Sequence, residues 1–296
     1  MTRSGFVGLA GRPNVGKSTL VNAIVGARVA IVSDRPQTTR RAIRGIATRE
    51  PEGWQMVLVD LPGVQRPRDV LTERMQRRVQ RELADADVAL LVLNGEEGVG
   101  PGDRFIASAL LAGRGETPVV CAVNKCDRIA PAETAGVLVG AAKLAVDEVF
   151  PVSARTGVGV APLVAHLAGL LPEGPFPYEP DQQWDEPGHL HLAELIREQV
   201  LRRTREEIPH AVEVVVEEVT ARPDGLVGVR AQLWVETESQ KGILVGKGGR
   251  MVRQIGVAAR KQLERELGAR VFLELQVRRR DGWRRDESLL DRVGIG

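Results

Sequence analysis

Short apolar runs alternate with amphipathic stretches over the first 171 residues of the chain. "GFVGLAG", "QMVLVDL", "DVALLVLN", "PVVCAVNK" and "EVFPVSA" are short and rich in valine and leucine, the composition of strands buried on both faces. Helical patterning lies between them, near 17–25, 71–85, 102–112, 132–144 and 159–170. This alternation predicts an α/β domain, doubly wound around a mainly parallel sheet. "AIRGIATRE" reads as an extra strand, antiparallel beside the third.

The pattern breaks at "LPEGPFPYEP", with four prolines in ten residues. Proline removes amide donors and disfavours helix in the residue before it, so this stretch reads as a linker. Beyond it the order changes to a helix at about 189–204, strands near 211–219 and 226–236, and a short helix from about Ser239. The turn "GKGG" leads into a long helix at 249–267, and a last strand covers about 270–278. That α-β-β-α-α-β order predicts a small α+β domain. The expected boundaries are 1–172, a linker at 173–183, and 184–296.

Composition narrows the class. Two cysteines, Cys121 and Cys126, and four histidines without metal-ligand spacing speak against zinc and against a disulfide framework. The histidines are expected at surface or cap positions. No run reaches the ~18 apolar residues of a membrane span, and the apolar patch at the N-terminus is too short for a secretory core. The chain reads as cytoplasmic. Its net charge of +2 conceals an asymmetry: residues 239–285 hold thirteen Lys/Arg against four Asp/Glu, and the rest of the chain is net negative. A polyanionic partner is therefore expected only at the C-terminal part.

The first loop carries the chemistry. Gly11-x-x-x-x-Gly16-Lys17-Ser18 is a phosphate-binding loop, set after the strand "FVGLA" and before the helix "STLVNAIVG". Its glycines let consecutive amides point at phosphate oxygens, and the helix adds a partial positive charge. Lys17 would reach the β- and γ-phosphates, with the Ser18 hydroxyl on Mg²⁺. "NKCD", Asn124 to Asp127, selects the base. The Asp127 carboxylate can accept from guanine N1–H and the exocyclic amine, donors adenine lacks there, so GTP is expected. In "SAR", Ser153 to Arg155, the Ala154 amide could meet guanine O6. "DLPG" places Asp60 to hold Mg²⁺ through water and the Gly63 amide toward the γ-phosphate. In "PQTTRR", 36–41, a threonine would join Mg²⁺ only with the γ-phosphate present; Thr39 is favoured and Thr38 is the alternative.

After D-x-x-G many GTPases carry a water-orienting glutamine. Here Val64 stands there and Gln65 comes one residue late. Slow intrinsic turnover is expected, near the ~10⁻⁴ to 10⁻² s⁻¹ of unassisted GTPases. Asn14 occupies the place of an asparagine that helps coordinate K⁺ in several GTPases with a hydrophobic residue at the glutamine position. A bound cation there would stabilise developing charge. The other reading is that Asn14 only stabilises the loop.

"ILVGKGGRMVRQIG" holds G-x-x-G as Gly246-Lys247-Gly248-Gly249 between two predicted helices. Glycines let a sugar–phosphate backbone approach closely, and KH domains clamp about four single-stranded nucleotides in this way. Basic Arg250, Arg253, Arg260 and Lys261 follow. The tail "RRRDGWRRD" offers either a second phosphate contact or a charged strand end with Trp283 packed inward.

Phosphate loop, "PQTTR", "DLPG", "NKCD", "SAR" and a KH element, in this order over nearly the whole chain, resemble the bacterial Era GTPases. The resemblance implies a P-loop GTPase domain followed by a type II KH domain, with Mg²⁺ and GTP or GDP as ligands. It implies a partner in 16S rRNA near its 3′ end, a role in maturation of the 30S ribosomal subunit, and peripheral inner-membrane association; no DNA is expected. By position, Gly11, Asn14, Val15, Gly16, Lys17, Ser18, Thr19 and Gly63 would hold phosphates. Ser18, Thr39 and Asp60 would hold Mg²⁺, with Asn14 at K⁺. Asn124, Lys125, Asp127, Ser153 and Ala154 would hold guanine. RNA would meet Gly246 to Gly249, Arg250 and Arg253, with Ile243, Val245 and Ile255 shaping the base groove. The alternative is an RNA-binding assembly protein whose nucleotide site is mainly structural. Two departures stand out: "DLPG" replaces the usual D-T-P-G, and the tail is unusually rich in arginine.

Overall fold

A computed structural model describes residues 1–33, 38–65, 67–113, 115–185 and 188–295. The chain forms two compact units. The first comprises Met1–Ala30, Thr39–Pro67 and Met75–Asp185, and the second Ile31–Thr38, Arg68–Arg74 and Glu186–Gly296.

In chain order the nucleotide-motif half runs β1 (Arg3–Ala10), α1 (Lys17–Val25), β2 (Ile43–Arg49), β3 (Trp54–Asp60), α2 (Val70–Ala84), β4 (Val88–Asn94) and α3 (Pro101–Gly113). It continues with β5 (Val119–Asn124), α4 (Pro131–Ala142), β6 (Glu148–Pro151) and α5 (Val160–Leu170). The sheet has the order β2-β3-β1-β4-β5-β6, parallel except for β2, which pairs antiparallel with β3 as Ile43↔Asp60 through Arg49↔Trp54. β3, β4 and β5 are buried along their whole length, which is why they read as unbroken apolar runs. Apolar clusters cover both faces: Val7, Leu20, Leu58 and Leu163 on one, Leu91, Ile106, Val119 and Ala141 on the other. β1 lies between β3 on one side and β4 on the other, so the chain reverses its direction across the sheet after β3. The loops after β1, β3, β5 and β6 gather at the strands' carboxyl ends, where such sheets bind ligands.

The proline-rich stretch is ordered against the first unit. Gln55 brackets Tyr178, donating from Nε2 to its carbonyl (2.9 Å) and accepting its amide at Oε1 (3.0 Å). The Ile46 amide donates to the Gln183 carbonyl at 2.8 Å. This segment therefore continues the edge of the sheet beyond β2.

The second unit contains α6 (Gly188–Arg203), α7 (Ile208–Ala211), β7 (Glu213–Ala221), β8 (Leu226–Val235), α8 (Glu238–Val245), α9 (Arg250–Leu267), β9 (Arg270–Arg279) and α10 (Glu287–Arg292). β7 and β8 are antiparallel and β8 and β9 parallel, in the order β7-β8-β9. The core joins Ile196 and Val200 of α6, Val214 and Leu233 of the sheet, and Ile255, Ala259 and Leu263 of α9. α10 and the Trp283 turn extend beyond the predicted last strand. Trp283 is fully buried and donates from Nε1 to the Ala211 carbonyl at 3.0 Å, so of the two readings of the tail the inward-packed tryptophan is the one formed. His191 is a correction: it is 5% exposed, not at the surface, with Nε2 2.8 Å from Glu266 of α9. Among the described residues no helix is long and apolar enough to cross a membrane.

Candidate functional site

The loop from Gly11 to Gly16 curls over the start of α1, and its turn needs left-handed backbone at Asn14 (φ 64°) and Gly16 (φ 99°). Lys17 is buried, and its Nζ donates to the carbonyls of Gly11 and Arg12, both at 3.2 Å. Loss of hydration lowers its pKa to about 8, against the pull of the Asp60 carboxylate. The Ser18 hydroxyl donates to Asp60 Oδ2 at 2.6 Å. Thr39 Oγ1 lies 3.1 Å from Ser18 Oγ and donates to the same Asp60 oxygen at 3.2 Å. The structure thus brings Thr39, and not Thr38, to this cluster; the Thr38 hydroxyl points to the Ser33 carbonyl. Pro36 and Gln37 of the "PQTTRR" stretch lie outside the described residues. Three neighbouring oxygens, one anionic, form a donor set suited to Mg²⁺, which takes few protein oxygens and keeps waters.

β3 delivers Asp60, and the turn after it lies against the phosphate loop. A Cβ on Gly63 would stand 2.7 Å from Pro13 N, so only glycine permits this approach. The Val64 amide donates to the Gly11 carbonyl at 3.1 Å, and its half-buried side chain packs against the apolar cluster that contains Leu91 and Leu93. Gln76 of α2 spans the turn, donating to the Gly63 carbonyl (3.2 Å) and accepting from the Gln65 amide (3.3 Å). Sequence reasoning missed Gln76, whose position eleven residues beyond Gln65 belongs to no motif.

At the end of β5, Asn124 ties three loops. Its Nδ2 donates to the Val15 carbonyl at 2.9 Å, and its Oδ1 accepts the Ala154 amide at 3.0 Å. Lys125 adopts left-handed backbone, φ 67°. Asp127 accepts from the Ser153 hydroxyl at 2.6 Å and from Arg155 Nη2 at 2.5 Å. These donors, Ser153 above all, hold the carboxyl below its usual range and keep it an acceptor. Arg155 was also missed, though it stands directly after Ser153 and Ala154.

In the second unit, "GKGG" turns sharply between α8 and α9. Gly246, Gly248 and Gly249 have φ of 70°, 61° and 75°, and a Cβ on Gly246 would meet that of Met251 at 2.8 Å. Lys247, Arg250, Arg253, Arg260 and Lys261 are exposed around the turn and along α9, with Ile243 exposed and Val245 half-buried beside them. Ile255 is a correction. It is fully buried in the core of this unit, so it cannot line a surface groove. The tail arginines are largely engaged within the fold: Arg279 with Asp281, Arg284 with Glu236, and Arg280 over the Trp234 ring.

Comparison with known proteins agrees with both halves of this geometry. Residues 6–125 match the family model described as 50S ribosome-binding GTPase, and residues 207–284 match the KH domain. GTPase Era of Mycolicibacterium paratuberculosis is 46% identical over 297 residues, covering 99% of each chain. The chain belongs to the Era GTPase family. GTPase Era of Mycobacterium tuberculosis strain H37Rv is likewise 46% identical, over 99% of this chain and 98% of its own. Among solved structures, an Aquifex aeolicus Era variant bound to GDP and AlF4⁻ superposes with a TM-score of 0.95 at 33% identity, over the whole of both chains. Era in complex with MgGDPNP and nucleotides 1506–1542 of 16S ribosomal RNA gives 0.94 at 32% identity, again over both whole chains. As an Era-family member the chain is a GTPase, built of a P-loop GTPase domain and a C-terminal KH domain.

Proposed function

We propose that this GTPase is a switch that grips the 3′ end of 16S rRNA through its KH domain and assists maturation of the 30S subunit, with hydrolysis timing its release. The observation that carries the reading is the full-length likeness to Era holding MgGDPNP and 16S nucleotides 1506–1542, on a chain with its own phosphate loop and "GKGG" turn. The functional domains are taken as 1–172 and 184–296, joined by 173–183.

The roles follow from the geometry. Amides of the Gly11–Gly16 loop and of Thr19 and Gly63 cradle phosphate oxygens, and Lys17 supplies the positive charge the transition state needs. Ser18, Thr39 and Asp60 hold Mg²⁺, which neutralises charge on the β- and γ-phosphates when bound. Thr39 belongs to a segment that orders around the γ-phosphate and loosens on its loss. Asp127 reads guanine, steadied by Ser153, while Asn124 keeps the loops in register and Lys125 covers the base. Val64 can neither orient nor polarise water, so turnover is slow, and Asn14 supplies a K⁺ site that offsets the missing glutamine. Gly246 to Gly249 let the RNA backbone in, with Arg250 and Arg253 on its phosphates and Ile243 and Val245 against bases.

Depletion of the protein in its own host, with sequencing of 16S rRNA ends, tests the assembly role. Unprocessed 3′ ends and a deficit of mature 30S subunits are expected. Normal processing after full depletion would refute it.

A further inference from the structure

The phosphate loop carries an arginine whose guanidinium is committed to α3. Arg12 Nε donates to Asp103 Oδ1 at 2.8 Å, and Nη1 meets Glu97 Oε2 at 2.8 Å. The Asp103 side chain has no exposed surface, and its second oxygen accepts the Gly100 amide at 2.9 Å. Glu97 is held in turn by Asn94 Nδ2 at 2.6 Å, at the end of β4. The arginine stem lies against α3 so closely that a Cβ on Gly102 would stand 2.9 Å from Arg12 Cδ. Glu96 of the same loop pairs with Arg128 at 3.2 Å and approaches Lys125 at 3.8 Å, beside the guanine-reading residues. One acidic loop, which belongs to no nucleotide motif, therefore engages both nucleotide-holding loops.

A carboxylate is taken wholly out of water only where partners compensate it. Glu97 is half exposed, so its pairing with Arg12 is screened and weak. Asp103 is the anchor. The side chain it fixes sits on the residue whose carbonyl accepts from Lys17 Nζ, so the path from α3 to the phosphate-reaching ammonium is two contacts long. We propose that Asp103 is a positioning residue for the GTPase reaction: by holding Arg12 against α3 it sets the curvature of the phosphate loop and the aim of Lys17. Reacting geometry tolerates little error, since a displacement of about 1 Å can cost on the order of a hundredfold.

The bland alternative is that Asp103 only stabilises the first turn of α3, where an acid is favoured anyway. The two are separated by GDP and GMP affinities, measured by competition with a fluorescent guanine nucleotide, because GMP lacks the β-phosphate that Lys17 reaches. Positioning predicts that Asp103→Ala weakens GDP at least tenfold and leaves GMP within twofold. It also predicts that Arg12→Ala does the same, and that the double variant is no weaker than Arg12→Ala alone. Asp103→Asn, nearly isosteric, repeats the test if the alanine variant does not fold, and should also weaken GDP selectively. Unchanged GDP affinity, equal losses for GDP and GMP, or additive losses in the double variant would overturn the proposal.

Discussion

Lys17 shows how burial and chemistry meet at one residue. Burial lowers its pKa to about 8, from an ordinary value of 10.5. For the fold this is a cost, of order 3 kcal/mol, present in full below pH 8 and fading as pH rises toward 10.5, because the unfolded chain holds the proton more tightly. For the ligand the sign reverses. Phosphate oxygens raise the lysine again, so binding above pH 8 must take up a proton, and GDP affinity should fall by up to about tenfold per pH unit there. Titration calorimetry in buffers of different ionisation heat should show proton uptake at pH 8.8 and little at pH 7. A GDP affinity flat between pH 7 and 9 would contradict this. Val64 and Asn14 carry a second prediction: turnover should be several-fold faster in K⁺ than in Na⁺, and Asn14→Ala should abolish the difference. Equal rates in both salts for the unaltered protein would remove Asn14 from that role. Lys17, Ser18, Asp60 and Asp127 were legible in the sequence because their motifs fix spacing along the chain. Gln76 and Asp103 were not, since each acts across a gap of 11 to 91 residues that leaves no local pattern; Arg155 stands in the "SAR" motif, but its partner Asp127 lies 28 residues earlier.

Among elements, the "GKGG" turn separates most cleanly from the rest. Gly246→Ala would force a Cβ to within 2.8 Å of the Met251 side chain at a φ of 70°, which strains the turn whatever else moves. RNA affinity should fall at least tenfold while GTP turnover measured without RNA stays unchanged; binding of 16S 3′-end RNA and phosphate release check the pair. Parallel losses would mean that the variant had simply damaged the fold. Elements were the most legible scale, since buried strands announce themselves by unbroken valine and leucine. Ile255 shows the limit. Ile255, Ala259 and Leu263 recur every four residues and form the buried stripe of α9, a signal that could have placed the isoleucine in the core. Proximity to the glycine turn instead drew it toward the RNA. α10 escaped because six residues are too few for a helical period to emerge, and the tail's many arginines disguised a segment fastened by buried Trp283.

At the scale of the whole molecule, charge and function divide along the chain. Residues 239–285 carry a local excess of nine positive charges in a protein of net charge +2, so a polyanion is favoured at the KH domain and not at the net-negative remainder. Under the proposed switch, events at the phosphate loop alter the grip on RNA. The most direct test is fluorescence anisotropy of a labelled oligonucleotide matching the 3′ end of 16S rRNA, titrated at one salt concentration with protein loaded with a non-hydrolysable GTP analogue or with GDP. A nucleotide-controlled grip on RNA predicts binding at least tenfold tighter in the GTP-analogue form. Equal affinity in the two forms would contradict it.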